Sequence, residues 1–232
     1  MGDRPVFELD GKTPLQAAKI NTINQLAKEG QCGTADPLKP GIVASTVSGT
    51  LAILGYNPLE KTVARGVIEA LGCGMKVNNG DVAFRANWAT LNNKGLIVDR
   101  RAGRIRDGTH ELASSITGLK IDNVRIDVSA ATEHRIAIVM RGTGLQDCVS
   151  GSDPGDHFHS GINPKKIKPL NKNNQKCIRT AELLNMFEFK VRKILTKHPV
   201  NLKRISNNLF PANAILSREP GQYHYFPKIK RP

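Results

Sequence analysis

Aromatic side chains are scarce, with one Trp, three Tyr and seven Phe in 232 residues. None falls in a motif that stacks bases, so recognition of nucleic acid would rest on charge alone. Cysteine is sparse too. Cys32, Cys73, Cys148 and Cys177 lie far apart with no CxxC pair, which excludes a zinc ribbon and a disulfide-stapled miniprotein. Reduced thiols in a cytoplasmic setting are the expectation. No apolar run approaches the ~20 residues of a membrane span, and the stretch Met1–Asp10 carries no secretory hydrophobic segment. Acidic residues are outnumbered, 20 Asp and Glu against 34 Lys and Arg.

What is present is enough to fold. With 39% hydrophobic and 23% charged residues, the chain can bury the core of one large or two small domains. The positive excess is concentrated: of a net charge of +14, residues 164–232 hold 16 Lys and Arg against three acids, Glu182, Glu188 and Glu219. Such a stretch suits nucleic acid, an anionic membrane surface or a phosphorylated ligand, and equally a solvated helix face.

Helix signals open the chain. Thr13-Pro14-Leu15-Gln16 is a capping box with proline at the first helical position, and Thr22-Ile23-Asn24-Gln25 repeats it before Gly30 stops the stripe of Ile23, Leu26 and Ala27. Helices are predicted over 48–54 and 60–71. The texture then changes. Val82-Ala83-Phe84 and Leu96-Ile97-Val98, joined by Asn92-Asn93-Lys94-Gly95, read as a hairpin. Val124–Val128 alternates like a strand and Ile136–Met140 is an apolar strand run, with a helix over 109–116 before them. A Gly/Pro/Asn/Lys-rich loop, 150–174, leads to a long helix over 175–197, whose stripe is Ile178, Ala181, Leu184, Met186, Phe187, Val191, Ile194 and Leu195. His198-Pro199 ends it, and Ala212–Leu216 is a buried-strand candidate. These patterns divide the chain at 1–73, 74–150 (an α+β module) and 151–232.

Three clusters have chemical potential. Arg85 and Asn87, followed by Asp99, Arg100, Arg101, Arg104 and Arg106, gather guanidiniums near strand ends, where bidentate bonds can hold a phosphate and a carboxylate. Glu133-His134-Arg135 opens another strand and can join that patch. Ser45-Thr46-Val47-Ser48 precedes a helix, where hydroxyls usually cap and sometimes carry a nucleophile. His157-Phe158-His159, with Asp153 and Asp156, has metal-like composition but too few fixed ligands to specify a site.

Taken in order, several segments resemble the archaeal-type cofactor-independent phosphoglycerate mutases, a branch of the alkaline-phosphatase-like metalloenzymes. They are GDRP with GKTPLQAAK (2–19), LAKEG (26–30), LGYNP with ARGVIEALG (54–72), GDVAFRANWAT (80–90), IVDRRAGR (97–104), TEHRIAIVMRG (132–142), and HPVN with PANAIL (198–216). The resemblance implies an α/β fold: an incomplete alkaline-phosphatase-like core, from 1–73 and 151–232, with the 74–150 module inserted on the substrate side. It implies an isomerase of glycolysis and gluconeogenesis that interconverts 3-phosphoglycerate and 2-phosphoglycerate through a phosphorylated enzyme. Two divalent ions (Mn²⁺, Mg²⁺ or Zn²⁺) assist in such enzymes. By matching motifs, Arg85, Asn87, Asp99, Arg100, Arg101, Arg104, His134 and Arg135 fall on the phosphoglycerate, and Thr46 takes the position of the nucleophile and metal ligand.

The departures are specific. The family's GSDTAHL is replaced by Ser45-Thr46-Val47-Ser48-Gly49-Thr50-Leu51, so the aspartate and histidine beside the nucleophile become Val47 and Thr50. The aspartate-bearing strand before GDRP and the later D-x-x-x-H and GDHS metal motifs are not found. Turnover by this chain is therefore in doubt, and Leu26 and Leu184 are expected to have fewer partners unless a second chain or oligomer completes the core. The alternatives are a phospholigand-binding remnant without catalysis, and a binder of nucleic acid or an anionic surface through residues 164–232.

Overall fold

The computed structural model describes residues 4–60, 63–155 and 160–223. It has two compact units, Met1–Ala44 and Ser45–Pro232.

The first unit holds a 3₁₀ turn at Phe7–Leu9 and two short helices, α1 (Pro14–Ala17) and α2 (Asn21–Glu29). The capping box at Thr13 forms as the sequence predicts: the Gln16 N–H donates to Thr13 Oγ1 at 3.2 Å and the Thr13 N–H to Gln16 Oε1 at 2.8 Å. The second box does not form. α2 begins two residues earlier, with Ile20 as an uncapped N-cap, so Thr22 is already inside the helix. None of the described residues of this unit is buried, and Leu26 is 64% exposed.

The second unit is built on a sheet. After α3 (Thr46–Ile53) and α4 (Arg65–Gly72) come β1 (Val82–Leu91), β2 (Ile97–Asp99), α5 (Thr109–Ile116), β3 (Leu119–Ile121), β4 (Val124–Ala130) and β5 (Arg135–Arg141). A long helix, α6 (Gln175–Thr196), then α7 (Pro199–Ser206) and β6 (Ala214–Gln222) complete it. β1 is central, pairing with β5 on one edge and β6 on the other, while β4 and β3 extend the sheet beyond β5. Every pairing is antiparallel. Residues 74–150 and 151–222 thus share one sheet, because β6 lies in register along β1.

Period-two alternation sends β1 to two different cores. Phe84, Ala86 and Trp88 join Ile136, Ile138 and Met140 against Leu112 and Ile116 of α5 and Leu184, Phe187, Val191 and Leu195 of α6. Leu184 is fully buried here, contrary to the expectation that it has fewer partners; β6 and α6 supply the layer that local pattern did not reveal. On the other face, Ala83, Ala137 and Val139 meet Val67 and Ala70 of α4. α4 comes so close that a side chain at Gly66 would collide with the Ala83 carbonyl oxygen and lie 2.7 Å from that of Glu219.

Other expectations shift. Met186 of the predicted stripe is 56% exposed, because the buried face of α6 turns past it. His198-Pro199 ends α6 but also starts α7: His198 Nδ1 accepts the Val200 N–H at 3.2 Å and proline takes the first helical position. The expectation of reduced thiols holds for Cys32 and Cys73, which are free, and fails at the other two. Cys148 and Cys177 form a disulfide, Cα–Cα 5.4 Å across 29 residues, tying the loop before α6 to its first turn. No helix is long and apolar enough to cross a membrane among the described residues.

Candidate functional site

On the α4 face of the sheet, where the small apolar contacts of Ala83 and Val139 give way, β1 presents Arg85 and then Asn87. β5 begins opposite at Arg135, which registers with Asn87, and Arg218 of β6 registers with Arg85. Together with Arg65, Arg101, Arg104, Glu133 and His134 these residues line a pocket of about 400 Å³.

Three backbone devices aim the charges. The first is the turn after β2, in which Asp99 Oδ1 accepts the Arg101 N–H at 2.6 Å. Ala102, Gly103 and Arg104 all have positive φ, a conformation that L-residues hold only when packing fixes it. Buried Ala102 and Ile105 supply that packing and leave Arg101 and Arg104 to the pocket. The second is the turn between β4 and β5, where Glu133 has φ 56°. The third is an irregularity in the β1–β6 register between Ala83 and Arg85, opposite Glu219 (φ 53°) and Pro220. It lets the Glu219 carboxylate bridge Arg65 Nη1 (3.0 Å) and Arg85 Nη1 (3.4 Å).

Charge is only partly balanced. Arg85 Nε lies 3.1 Å from Glu69 Oε2, and Glu133 accepts from Arg106 Nη2 at 2.5 Å. Arg104 and Arg135 have no ion pair among the described residues. His134 is pushed down to about 4 by burial first and then by the Arg101 and Arg135 guanidiniums. Its imidazole is therefore neutral near pH 7 and can donate one hydrogen bond and accept another. Beyond Arg85 Nε, which has Glu69 beside it, three buried polar atoms of pocket residues make no hydrogen bond: Asn87 Oδ1, His134 Nδ1 and Arg218 Nε. Buried polar groups left without partners are costly, so the pocket is built for a polar, anionic occupant.

The fold therefore brings together Arg85, Asn87, Arg101, Arg104, His134 and Arg135 of the residues singled out in the sequence. Asp99 and Arg100 are not in the pocket lining. Asp99 holds the turn, and Arg100 pairs with Asp153 through Nη2 at 2.6 Å. Thr46 also lies outside the lining. It is an exposed first residue of α3, next to a capping box in which Ser45 and Ser48 bond reciprocally at 3.1 and 2.9 Å. Asp156, His157 and His159 lie outside the described residues. Among the described residues, no three His, Cys, Asp or Glu side chains group to hold a metal ion. Arg65 and Arg218 were not foreseen, since strand pairing and helix docking, not spacing, bring them in. Basic residues of 164–232 also serve the fold: Arg179 pairs with Asp122 at 2.6 Å, and Arg204 donates to the Phe210 and Ala102 carbonyls.

Known sequences and solved structures point to one family. The family profile of 2,3-bisphosphoglycerate-independent phosphoglycerate mutase matches residues 27–201. A relative of that name from Picrophilus torridus is 48% identical over 221 residues, covering 95% of this chain and 53% of the relative. Another, from Methanobrevibacter smithii, is 42% identical, covering 96% and 54%. Among solved structures, the cofactor-independent phosphoglycerate mutase from Thermoplasma acidophilum superposes with a TM-score of 0.68 at 40% identity, covering 99% of this chain and 59% of that one. A Pyrococcus horikoshii protein gives 0.70 at 29% identity, covering 98% and 50%. The chain spans about half the length of the curated relatives it matches.

Proposed function

The chain belongs to the 2,3-bisphosphoglycerate-independent phosphoglycerate mutase family, and from that membership we propose that its arginine pocket holds phosphoglycerate. The observation that carries this reading is the set of unpartnered buried polar atoms on Asn87, His134 and Arg218 inside a pocket with surplus guanidinium charge. Phosphoglycerate is two-ended, a phosphate and a carboxylate on a three-carbon frame. Arg101, Arg104, Arg135 and Arg218 offer planar, charge-assisted donors to both ends. Neutral His134 and Asn87 suit the hydroxyl between them, because each can donate and accept without adding charge. Partial burial strengthens each of these bonds relative to water.

In this reading the pocket belongs to an isomerase of glycolysis and gluconeogenesis that interconverts 3-phosphoglycerate and 2-phosphoglycerate through a phosphorylated enzyme, in the cytoplasm. An alkaline-phosphatase-like core, formed from residues 1–73 and 151–232 around the 74–150 insert, is part of the same proposal. Thr46 is assigned the phosphoryl-acceptor position and, with it, the metal-ligand position. The described residues do not fit a pair of divalent ions, since no suitable donor group exists among them and Thr46 stands exposed at a helix start. That observation favours a second reading, in which the chain binds phosphoglycerate without turning it over. A coupled 3-phosphoglycerate to 2-phosphoglycerate assay with Mn²⁺, controlled by Thr46→Ala, separates the two. Calorimetric titration with 3-phosphoglycerate, set against Arg101→Ala, tests the binding they share; absence of binding by the parent chain overturns both.

A further inference from the structure

Asp153 lies behind the pocket lining and touches its architecture twice. Its side chain is 2% exposed. Oδ1 is 2.8 Å from Arg100 Nε and 2.6 Å from Arg100 Nη2, and it accepts the Gly155 N–H at 3.1 Å. Oδ2 faces Arg218 Nη1 at 3.7 Å and makes no hydrogen bond. Arg100 immediately precedes the turn that carries Arg101 and Arg104, and Arg218 is itself a pocket residue on β6. One carboxylate therefore spans the turn and the strand. Burying it without cationic neighbours would be costly, so its location is tied to both guanidiniums.

The segment bearing Asp153 is held firmly. The N–H groups of Ser152 and Asp153 both donate to the Ser217 carbonyl, at 2.9 and 3.1 Å, and the Ser217 N–H donates to Ser152 Oγ at 2.9 Å. Ser152 Oγ in turn donates to Glu188 of α6 at 2.8 Å. At Gly151 a side chain would lie 2.8 Å from the Arg218 Cα, so the backbones pack too closely for any larger residue. Asp153 is thus fixed relative to β6 before any ligand arrives.

We propose that Asp153 is a positioning residue that sets the spacing between Arg218 and the Arg101–Arg104 turn, and thereby makes the pocket selective for a two-ended phosphorylated carboxylate over a bare oxyanion. This deepens the phosphoglycerate reading and rests on it. A bare phosphate needs only one cluster of donors and tolerates their displacement. A ligand with two anionic ends needs two clusters at one separation, so small misplacement weakens it disproportionately. Removing the carboxylate also leaves one more uncompensated positive charge, which draws every anion more strongly. Spacing and charge therefore act in opposite directions on the two ligands.

The test is calorimetric titration of 3-phosphoglycerate and of inorganic phosphate into the parent chain and the Asp153→Asn variant. The expected result is about tenfold weaker 3-phosphoglycerate binding, the loss typical of one charge-assisted contact, with phosphate binding unchanged or tighter. Equal losses for both ligands make Asp153 a scaffold residue only and overturn the inference. Equal gains make it a matter of bulk charge and overturn it too. Should Asp153→Asn fail to fold, Ser152→Ala loosens the same segment with every pocket side chain in place. There the ratio of the two affinities is expected to fall about threefold, a partial loss of that contact, and an unchanged ratio again overturns the inference. A parent chain that binds no 3-phosphoglycerate removes the pocket reading and this inference with it. A parent that binds, alongside variants with unaltered selectivity, removes the inference alone.

Discussion

The two units of this chain have comparable local signals and very different fates. Met1–Ala44 has a formed capping box, a helix stop at Gly30 and an apolar stripe, yet none of its described residues is buried. Ser45–Pro232 contains β1, in which all ten residues are buried, because β5, β6, α4 and α6 surround it. Capping and periodicity form a helix; only partners turn its apolar face into stability. The site follows the same division, since every pocket residue belongs to the second unit.

The comparison is sharpest at the core. Trp88→Ala removes a fully buried side chain from the main cluster and is expected to cost about 3–5 kcal/mol by urea unfolding. A loss below 1 kcal/mol would mean that the second unit is not the stable one. Next is the disulfide. Cys148→Ser opens a loop of 29 residues and should lower stability by about 3 kcal/mol through the entropy of the unfolded chain. Unaltered unfolding under reducing conditions would show that the bridge is idle.

Within the second unit, Arg101→Ala should weaken 3-phosphoglycerate binding by about 1.5–3 kcal/mol. Arg125→Ala, which breaks a largely exposed pair with Asp127, should leave binding unchanged. Similar losses in both would reduce the pocket to general positive charge.

The pH dependence sets two buried groups of this unit against each other. Burial pushes Glu188 up to about 7 from 4.5, although Ser217 and Ser152 oppose it. The folded state then holds the extra proton, and stability falls as pH rises through that window. His134 is pushed down from 6.5 to about 4, so the unfolded state holds the extra proton and stability falls as pH drops below 6.5. Glu133, held down by Arg106, and Asp127, where Arg141 and Arg125 outweigh burial, act in the same sense as His134. Glu188→Gln should therefore unmask a stability that climbs by about 1–2 kcal/mol between pH 5 and 7, the contribution of buried His134. Parallel profiles for parent and variant would show that Glu188 does not titrate there. The smallest effect belongs to the first unit. Leu26→Ala, at an exposed position, should change stability by under about 0.5 kcal/mol; a loss above 1 kcal/mol would reveal a partner for α2.

Much of the fold was legible because it is local. The hairpin of β1 and β2, α5 and the start of α6 coincide with their sequence signals. Asn92 shows why: its Oδ1 accepts the Lys94 and Leu96 N–H groups at 3.0 Å, so the turn carries its own hydrogen bonds. The start of α7 was also written in sequence, in His198-Pro199, but the same proline reads as a stop. Arg85, Asn87, Arg101, Arg104, His134 and Arg135 were legible as a cluster through the motif resemblance. Arg65 and Arg218 were not, because 133 residues and a strand pairing separate Arg218 from its partner Arg85.

By itself the sequence determined the family, the capping box at Thr13, the strand alternation and the supply of guanidiniums, all of which depend on residue type and near neighbours. The tertiary structure alone decided that Leu184 is buried while Leu26 is not, that Cys148 meets Cys177, that Arg100 turns to Asp153 while Arg101 faces the pocket, and that His134 is neutral. Burial and pairing between distant segments depend on what stands opposite each side chain, and neither spacing nor composition carries that information.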